Sequence, residues 1–366
     1  MPVKVNFAII GCGRISDLHA PGYLQNPNAE IAAVCDADSE RANRKGNEWG
    51  VSEEMIFTDY NDLLKTDSID AVEILVPHHL HADMAIMAAE AGKHISVQKP
   101  MANSLEECRQ MIDAAKKNGV KLRVFENFRF YPPYLKAKEL IESGAIGRPS
   151  SIHIKLGVSH MGGWDVPLDA WMWRVSPEKC GGGPICWDDG YHKFSIAEFF
   201  LGDVEKVKAW IDTTGMFEDE DEAPMVVDAP AVVMWKYRKP RTYGSMEVTW
   251  SRDGNFPSKY YSADERVEIT GDKGYIWVNQ CTANTLRNEA PLVTFIEGEL
   301  SEYRDIETDW FSSFVGSVNH FVEAIAKDTE PVLTGMQGLK VQKFGAAAHH
   351  SADTGREILL DEFGIG

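Results

Sequence analysis

The chain has 366 residues, of which 44% are hydrophobic and 25% charged, so it is long enough for two domains that each bury a core. Its net charge is -19, from 37 basic and 56 acidic residues. Such a surface repels nucleic acid phosphates and anionic lipid headgroups, which excludes both as expected partners and favours a neutral substrate.

The apolar runs and the cysteines indicate a cytoplasmic protein. The first apolar run is too short for a signal peptide and ends at a glycine. No run approaches the roughly 18 apolar residues that a membrane span requires. None of the six cysteines forms a CxxC pair, so we expect reduced thiols and no membrane contact.

The first third of the chain alternates between strand and helix patterns. Continuous apolar runs predict strands that are buried on both faces, and amphipathic segments between them predict helices. The predicted strands are Val3 to Ile10, Glu30 to Cys35, Ala71 to Val76, His94 to Val97 and Leu122 to Phe125. Repeated strand–helix units with right-handed crossovers predict a parallel, doubly wound Rossmann sheet over residues 1–127.

After Asn127 the pattern changes to longer runs that alternate between apolar and polar residues. This is typical of a mostly antiparallel sheet with one wet face. The predicted strands are Ser151 to Val158, Lys206 to Asp212, Ala231 to Tyr237, Tyr243 to Trp250, Arg266 to Thr270 and Tyr275 to Val278. We therefore predict an α+β second domain over residues 128–366, with an open sheet and a last helix that packs back on the first domain.

A glycine-rich turn follows the first strand. Its sequence, from Gly11 to Ser16, is G-x-G-x-x-S, and it opens a helix. Gly11 permits the tight turn, Gly13 lets a pyrophosphate approach the backbone, and Ser16 is small enough for close packing of helix and strand. The helix N-terminus presents unpaired N–H groups to the phosphates. The turn predicts a dinucleotide site.

The second strand ends at Asp36, which supports the same site. A carboxylate there can accept both ribose hydroxyls of an adenosine, and it would repel a 2′-phosphate. Arg41 lies further on, in the next helix, and no arginine directly follows Asp36. The expected cofactor is therefore NAD, with NADP disfavoured.

These motifs and four later segments resemble the glucose-fructose oxidoreductase/inositol dehydrogenase/MocA (Gfo/Idh/MocA) family over nearly the whole chain. The later segments are Val76 to His81, Gln98-Lys99-Pro100, Asn127 to Pro132 and Asp188 to His192. The family usually has glutamate where this chain has Gln98, and often a small polar residue where it has His78. The resemblance implies cofactor contacts from Gly11, Gly13, Arg14, Ile15, Asp36, Pro77, His78, His81, Gln98 and Lys99.

Three residues have the chemistry for moving a hydride to or from a secondary alcohol carbon. His192 can take and return the hydroxyl proton, because an imidazole has a pKa near neutrality. Asp188, four residues earlier, would share its side of a helix that starts at Gly190, where it could orient His192 or bind a neighbouring hydroxyl. Lys99, at the ligand-binding edge of the Rossmann sheet, can stabilise a developing alkoxide. The resemblance implies the same catalytic group.

A histidine cluster, His78, His79 and His81, has ligand types that metals use. No carboxylate or cysteine set accompanies it, so we expect no metal. The resemblance instead implies that this loop lies beside the nicotinamide ribose.

Tryptophans are concentrated before the proposed catalytic pair. Four of the ten, including Trp164 and Trp173, fall within 24 residues. Their faces can stack on pyranose C–H groups, so we expect a sugar or glycoside pocket, although any single tryptophan fits a core or an interface as well. Further expected hydrogen-bonding residues are Arg129, Tyr131, Asp165, Asp169 and Arg174.

The resemblance implies an enzyme acting on sugars, polyols or glycosides, and we expect oxidation of a neutral hexopyranose or its glycoside, by analogy at C3. It also implies a homo-oligomer, a dimer or tetramer, through the open sheet face. Three alternatives remain open: an inositol or cyclitol dehydrogenase, a redox-neutral glycosidase or sugar exchanger that retains NAD, and an NAD-binding sensor without turnover.

Overall fold

A computed structural model describes residues 4–159, 161–164, 166, 171–215 and 226–364. The chain divides into two compact units. The first contains the chain up to Asn127 together with Glu178–Gly181 and Ser313–Gln342, and the second contains Phe128–Pro177, Gly182–Ser312 and Lys343–Gly366.

The first unit is built on a six-stranded parallel sheet, β3-β2-β1-β4-β5-β6. Its strands are β1 Val5–Ile10, β2 Ala29–Cys35, β3 Ile56–Phe57, β4 Ala71–Ile74, β5 His94–Gln98 and β6 Leu122–Phe125. The predicted doubly wound fold is confirmed. Because both faces of the sheet are covered, β1 and β4 are apolar almost throughout, which is the pattern that the sequence shows.

Helices connect these strands, and local capping fixes several of their ends. They are Ser16–Leu24, Ser39–Trp49, Tyr60–Leu64, His81–Glu90 and Leu105–Asn118. Asp38 caps the second, and Ser104 with Glu107 forms a capping box on the last. Gly119 ends that helix in the left-handed region, at φ +66°.

The second unit is built on a nine-stranded mixed sheet, β18-β17-β16-β15-β7-β13-β12-β9-β19. The strands from β7 on, with the short pairs outside this sheet, are β7 Pro149–Val158, β8 Met161–Gly162, β9 Val204–Ile211, β10 Thr214–Gly215, β11 Val226–Val227, β12 Ala231–Tyr237, β13 Tyr243–Trp250, β14 Asn255–Phe256, β15 Ala263–Gly271, β16 Gly274–Val278, β17 Leu292–Ile296, β18 Glu299–Tyr303 and β19 Ile358–Leu359. The sheet is mostly antiparallel as predicted, with a parallel pair at β7 and β13. The sequence pattern did not predict β17, β18 and β19 of this sheet, nor β3 of the first.

The helices after Asn127 are Pro132–Glu142, Pro177–Cys180, Gly190–Leu201, Phe311–Ala326 and Gly335–Thr354. Among the described residues no helix combines the length and apolarity that crossing a membrane would demand.

The second domain is not the contiguous segment 128–366 that the sequence suggested, because Ser313–Gln342 belongs to the first unit. Two hydrogen bonds, one between backbone groups and one from a side chain, show why. Val124 N donates to Leu333 O at 2.9 Å, and Arg123 Nη1 donates to Ser317 O at 2.6 Å. A Cβ added at Gly338 would lie 2.4 Å from Val124 Cγ2, so glycine lets this part of the helix approach β6. These long-range contacts leave no periodic signal in the sequence.

Candidate active site

The turn after β1 has the geometry that the glycine motif predicts. Gly11 has φ +91°, and a Cβ there would lie 2.5 Å from Leu75 O, so only glycine fits. A Cβ at Gly13 would meet nothing within 4 Å, which leaves open space in front of the turn. Ser16 is fully buried and its hydroxyl donates to Gly13 O at 2.6 Å. The turn is therefore closed from behind and open in front, as a pyrophosphate site requires.

Asp36 lies directly beside this turn. Its Oδ2 accepts the Cys12 N–H at 2.8 Å, and its Oδ1 accepts the Asp38 N–H at 2.9 Å. The guanidinium of Arg41 lies 3.4 Å from both carboxylate oxygens. The structure thus brings the predicted ribose acceptor to the glycine turn. It also adds Arg41 as a cation partner, which sequence spacing alone did not indicate.

Arg14 and Ile15 form the outer edge of the turn. Ile15 precedes the helix Ser16–Leu24, and Arg14 Nη1 lies 3.2 Å from Asp17 Oδ2, with 45% of its side chain exposed. Arg14 is therefore accessible from the open side of the turn, where the resemblance implies a cofactor.

Two histidines hold the loops that follow β4 and β5. His78 is buried, and its Nδ1 lies 2.9 Å from Cys180 O. His81 is fully buried, with Nδ1 2.9 Å from Pro100 O and Nε2 2.9 Å from Val76 O. The ring of His81 therefore bridges the two loops. Pro77 introduces the short 3-10 turn His78–Leu80 that carries His78.

Gln98 and Lys99 follow at the end of β5, and the Lys99–Pro100 peptide bond is cis. The Lys99 N–H donates to Gln98 Oε1 at 2.8 Å. The amide nitrogen of Gln98 lies 3.0 Å from His19 Nε2. The residue that replaces the family's glutamate therefore contacts the main chain of the candidate catalytic lysine.

Asp188 and His192 belong to the second unit, where one continuous helical segment carries them. A π-helical turn, Pro184–Asp189, leads directly into the helix Gly190–Leu201. The predicted helix start at Gly190 is thus preceded by a wider turn that contains Asp188.

Asp228 fixes that π-helical turn. Its two carboxylate oxygens accept the N–H groups of Ile185 and Trp187, each at 2.7 Å. A Cβ at Gly183 would lie 2.0 Å from the Asp228 carboxylate carbon, so glycine is needed for this approach. Asp228 is 7% exposed and lies 40 residues after Asp188. Sequence reasoning missed it because nothing local marks the contact.

The candidate catalytic carboxylate Asp188 is ion-paired. Its Oδ2 accepts from Arg174 Nε at 3.0 Å. The guanidinium carbon of Arg174 also lies 4.3 Å from the centre of the Trp173 ring. Arg174, expected at the substrate pocket, is therefore brought to Asp188, and Trp173, expected there as well, packs against Arg174.

His192 stacks on Phe128, with ring centres 4.2 Å apart and planes inclined by 26°. The ammonium of Lys193 lies 4.7 Å from the centre of the same Phe128 ring. Lys193 is fully buried and pairs with Asp189 and Glu265, at 3.1 Å each. Despite the cost of burial, these two carboxylates raise the pKa of Lys193. The helix that carries His192 is thus held by a buried charged group that the sequence did not reveal.

Arg129 and Tyr131, which the sequence predicts at the substrate, are both buried in the second unit. Arg129 is buried, with Nε donating to Ser195 Oγ at 2.9 Å and Nη2 to Ser195 O at 3.1 Å. Tyr131 has no exposed surface and packs edge-on against Tyr134. Both side chains support the packing of the second unit, because the segment after β6 turns into the core.

Trp164 lies against Tyr260 and Tyr261, with ring centres 5.6 Å away in each case. Asp165 and Asp169, which we expected to supply hydrogen bonds, lie outside the described residues.

One group of metal-ligand types occurs in the described part of the second unit. Cys186, Asp228 and His349 offer ligand atoms that lie within 4.8 Å of one another. The Asp228 oxygens already accept the two amides of the π-helical turn. The histidine cluster noted in the sequence, at which no metal is expected, is a different set of residues, and two of its members, His78 and His81, face backbone carbonyls.

Comparison with known proteins identifies the family. Residues 5–126 match a family described as "Oxidoreductase family, NAD-binding Rossmann fold", and residues 134–277 match the C-terminal domain of the same family. The chain belongs to the Gfo/Idh/MocA oxidoreductase family. The resemblance stated from the motifs is therefore confirmed, and with it an NAD-dependent oxidoreductase.

Curated relatives align over most of the chain. A levoglucosan dehydrogenase of Pseudarthrobacter phenanthrenivorans is 31% identical over 301 residues, which is 75% of this chain and 74% of that protein. A myo-inositol 2-dehydrogenase of Thermotoga maritima is 28% identical over 368 residues, which is 98% of this chain and 99% of that protein.

A solved structure of a levoglucosan dehydrogenase in complex with NADH and levoglucosan superimposes with a TM-score of 0.84 at 24% identity. The match covers 98% of this chain and all of that chain, 100%. At this identity the likeness shows the shared fold.

Proposed function

We propose that this protein is an NAD-dependent dehydrogenase that oxidises a secondary alcohol carbon of a neutral sugar or glycoside, with C3 of a pyranose as the expected position. The observation that carries the proposal is the segment Pro184–Leu201. It displays Asp188, ion-paired with Arg174, and His192, stacked on Phe128, on a turn and helix whose backbone is fixed by buried groups.

Each residue has a role that its chemistry supports. His192 takes the hydroxyl proton of the substrate, because an imidazole can bind and release a proton near neutral pH. Lys99 lies at the carboxyl end of β5 and stabilises the alkoxide that develops as the proton leaves. Asp188 accepts a hydrogen bond from a neighbouring substrate hydroxyl, and Arg174 holds its carboxylate in place.

The cofactor is held by the first unit. The open space before Gly13 and the carboxylate of Asp36 fit a pyrophosphate and an adenosine ribose, with Gly11, Arg14 and Ile15 forming the rest of the turn. When bound, NAD supplies the acceptor for the hydride that leaves the alcohol carbon. The loops of Pro77, His78, His81 and Gln98 complete the proposed cofactor site.

A neutral substrate follows from the charges and aromatic groups near Asp188. The cation of Arg174 is already paired with a carboxylate, so it offers no free clamp for a sugar acid. The ring of Trp173 lies beside Arg174 and offers a surface on which a pyranose can stack. The relative that acts on levoglucosan supports a sugar substrate.

A cyclitol is the second candidate substrate. The myo-inositol 2-dehydrogenase and a scyllo-inositol 2-dehydrogenase of Bacillus subtilis align with 98% and 99% of this chain. A cyclitol carries the same ring of secondary hydroxyls, so the same three residues would serve it.

We further propose a homo-oligomer, a dimer or tetramer, that covers the open face of the large sheet. Large apolar side chains are exposed on this face in neighbouring strands. Trp210 is paired in register with Val232, and Tyr275 with Phe295. An apolar face of this kind is typical of an interface. All six cysteines are buried and none forms a disulfide, which supports the proposed cytoplasmic location.

The test is the formation of NADH, followed at 340 nm, with NAD and a panel of hexoses, glucosides, levoglucosan and inositols. Wild type is compared with Lys99→Ala and His192→Ala, and with the matched surface controls Lys65→Ala and His350→Ala. Turnover of one sugar class that both active-site variants lose by at least about a hundredfold, with the controls unchanged, supports the proposal.

Turnover of inositols alone would move the assignment to the cyclitol. Binding of NADH without turnover of any panel member would contradict the dehydrogenase and support a retained-NAD enzyme or a sensor. Binding is measured separately by NADH fluorescence, so a folding failure is distinguished from a loss of chemistry.

A further inference from the structure

A buried row of polar side chains in the first unit ends at the main chain of Lys99. Glu73 lies on β4, His19 on the helix Ser16–Leu24 and Gln98 at the end of β5. His19 Nδ1 lies 3.2 Å from Glu73 Oε1, the ring's Nε2 lies 3.0 Å from Gln98 Nε2, and Gln98 Oε1 accepts the Lys99 N–H at 2.8 Å. His19 and Glu73 have no exposed surface.

The donors and acceptors in this row can be assigned in one way. A backbone N–H only donates, so the oxygen of the Gln98 amide faces Lys99 and its NH2 group faces His19. An amide NH2 also only donates, so Nε2 of His19 must carry a lone pair. The proton of a neutral imidazole then lies on Nδ1, the nitrogen that faces Glu73.

The groups around His19 are consistent with a neutral ring. Burial lowers the pKa of His19 in spite of the neighbouring carboxylate. Burial by itself would raise the pKa of Glu73, but its partners His19 and Arg123 hold that pKa below its ordinary value. The Tyr23 hydroxyl donates to Glu73 Oε2, and Arg123 Nη2 lies 3.7 Å from the same oxygen.

The far end of the row is anchored in turn. Arg123 Nε donates to Ser96 Oγ at 2.9 Å and Nη1 donates to Ser317 O at 2.6 Å. Arg123 is 1% exposed. A fixed carboxylate at Glu73 gives His19 one orientation, and a fixed His19 gives the Gln98 amide one orientation.

The geometry points to His19 and Gln98 as positioning residues that hold the main chain of Lys99, with the glutamine amide matched to a neutral His19. This inference rests on the proposed function only in that Lys99 is taken to act on the substrate. A glutamate carboxylate at 98 could not donate to His19 Nε2 and would instead accept a proton from it; with the Glu73 carboxylate accepting at Nδ1, the ring would then carry a proton on each nitrogen. Gln98 therefore sets the protonation of His19, the buried ring that lies between Gln98 and Glu73.

The first experiment reads the protonation directly, without any assay of activity. The histidines are labelled with ¹⁵N, and the His19 signals are assigned by their loss in His19→Gln. In wild type at pH 7 we expect the neutral tautomer with Nδ1 protonated. In Gln98→Glu we expect both nitrogens protonated at the same pH. A wild-type ring protonated on Nε2, or an unchanged ring in Gln98→Glu, would overturn the inference.

The second experiment tests the effect on Lys99. Gln98→Met removes both hydrogen bonds at similar volume, and Gln110→Met on an exposed helix face is the matched control. We expect hydrogen exchange of the peptide containing Lys99 to become at least about tenfold faster in Gln98→Met, and kcat to fall by about tenfold or more with a smaller change in KM. His19→Phe should show the same kcat loss while retaining NADH binding.

Unchanged exchange at Lys99 and unchanged kcat in Gln98→Met would contradict the positioning role. If no sugar or cyclitol is turned over, the proposed function fails, whereas the ¹⁵N and exchange results still decide whether the row holds Lys99. The two failures are therefore distinguishable.

Discussion

The guanidinium of Arg174 forms an ion pair with the carboxylate of Asp188, and its Nε donates a hydrogen bond to Oδ2 at 3.0 Å. Asp188 keeps only 6% of its side chain exposed, whereas Arg174 keeps 25%. A largely buried carboxylate that is paired with a cation keeps one orientation, in which it can accept a hydrogen bond from a substrate hydroxyl.

Removing that cation should impair chemistry more than cofactor binding. We expect Arg174→Met to lower kcat/KM for the sugar by about tenfold or more, which corresponds to about 1.4 kcal/mol, while the Kd for NADH changes less than about twofold. Steady-state kinetics and NADH fluorescence measure the two effects. Arg109→Met, which removes a surface arginine, is the control. Equal kcat/KM in both variants would show that the pair does not position Asp188.

Asp228 should stabilise the π-helical turn in front of Asp188. In Asp228→Ala the N–H groups of Ile185 and Trp187 lose their acceptors, so we expect the free energy of unfolding to fall by about 2 kcal/mol or more and kcat to fall with it. Asp228→Asn keeps one acceptor oxygen, so its free energy of unfolding and its kcat should lie between those of wild type and Asp228→Ala. Urea unfolding checks the result against the exposed control Asp212→Ala. A stable, fully active Asp228→Ala protein would refute this role.

Asp36 should decide between NAD and NADP. In Asp36→Ser the charge that repels a 2′-phosphate is removed and Arg41 loses one of its two carboxylate partners, so we expect the ratio of kcat/KM for NADP to that for NAD to rise by about tenfold or more. Asp38→Ser changes the adjacent helix cap and removes the other carboxylate partner of Arg41, while Asp36 and the main-chain N–H that it accepts from residue 38 are kept. It should leave the ratio unchanged. A rise in both variants would trace the effect to helix Ser39–Trp49 instead.

Stability should fall in mild acid because of one buried and two half-buried histidines. Burial lowers the pKa values of His19, His94 and His320, so the unfolded chain binds more protons than the folded one below about pH 6.5. The free energy of unfolding should therefore decrease as pH falls from 7.5 to 5.5. Each histidine adds at most about 1.4 kcal/mol per pH unit. Urea unfolding at several pH values measures the slope.

In His19→Gln we expect the free energy of unfolding to depend less steeply on pH than in wild type. The reason is that this variant removes one of the protons taken up on unfolding. A slope identical to that of wild type would mean that His19 is protonated in the folded protein, against the neutral ring inferred above.

The open sheet face should mediate self-association. Phe295→Lys places a charge beside Tyr275 on the exposed face, so we expect a lower molar mass by light scattering, with a matched control in Leu24→Lys on the first unit. If the oligomer dissociates in both Phe295→Lys and Leu24→Lys, or in neither of them, this face is not the interface.

Local signals in the sequence were sufficient for five of the six strands of the first sheet and for the glycine turn; the short β3, Ile56–Phe57, was not predicted. Buried parallel strands are continuous apolar runs, and Gly11 is required by a positive φ and a close backbone approach that glycine alone allows. The strands Ala231–Tyr237 and Tyr243–Trp250 also followed directly from their alternation. By contrast, β18 is exposed along most of its length and lacks an apolar alternation that would mark it.

The sequence by itself therefore determined the fold class, the family motifs and the NAD preference, because these depend on residues close together in the chain. Only the tertiary structure decided which partners surround the candidate catalytic residues. Arg174 beside Asp188, Asp228 under the turn, and His19 behind Gln98 are separated in sequence by 14, 43 or 41, and 79 residues. Hydrogen bonds between distant segments are set by how the chain packs, and a pattern of neighbouring residues carries no record of them.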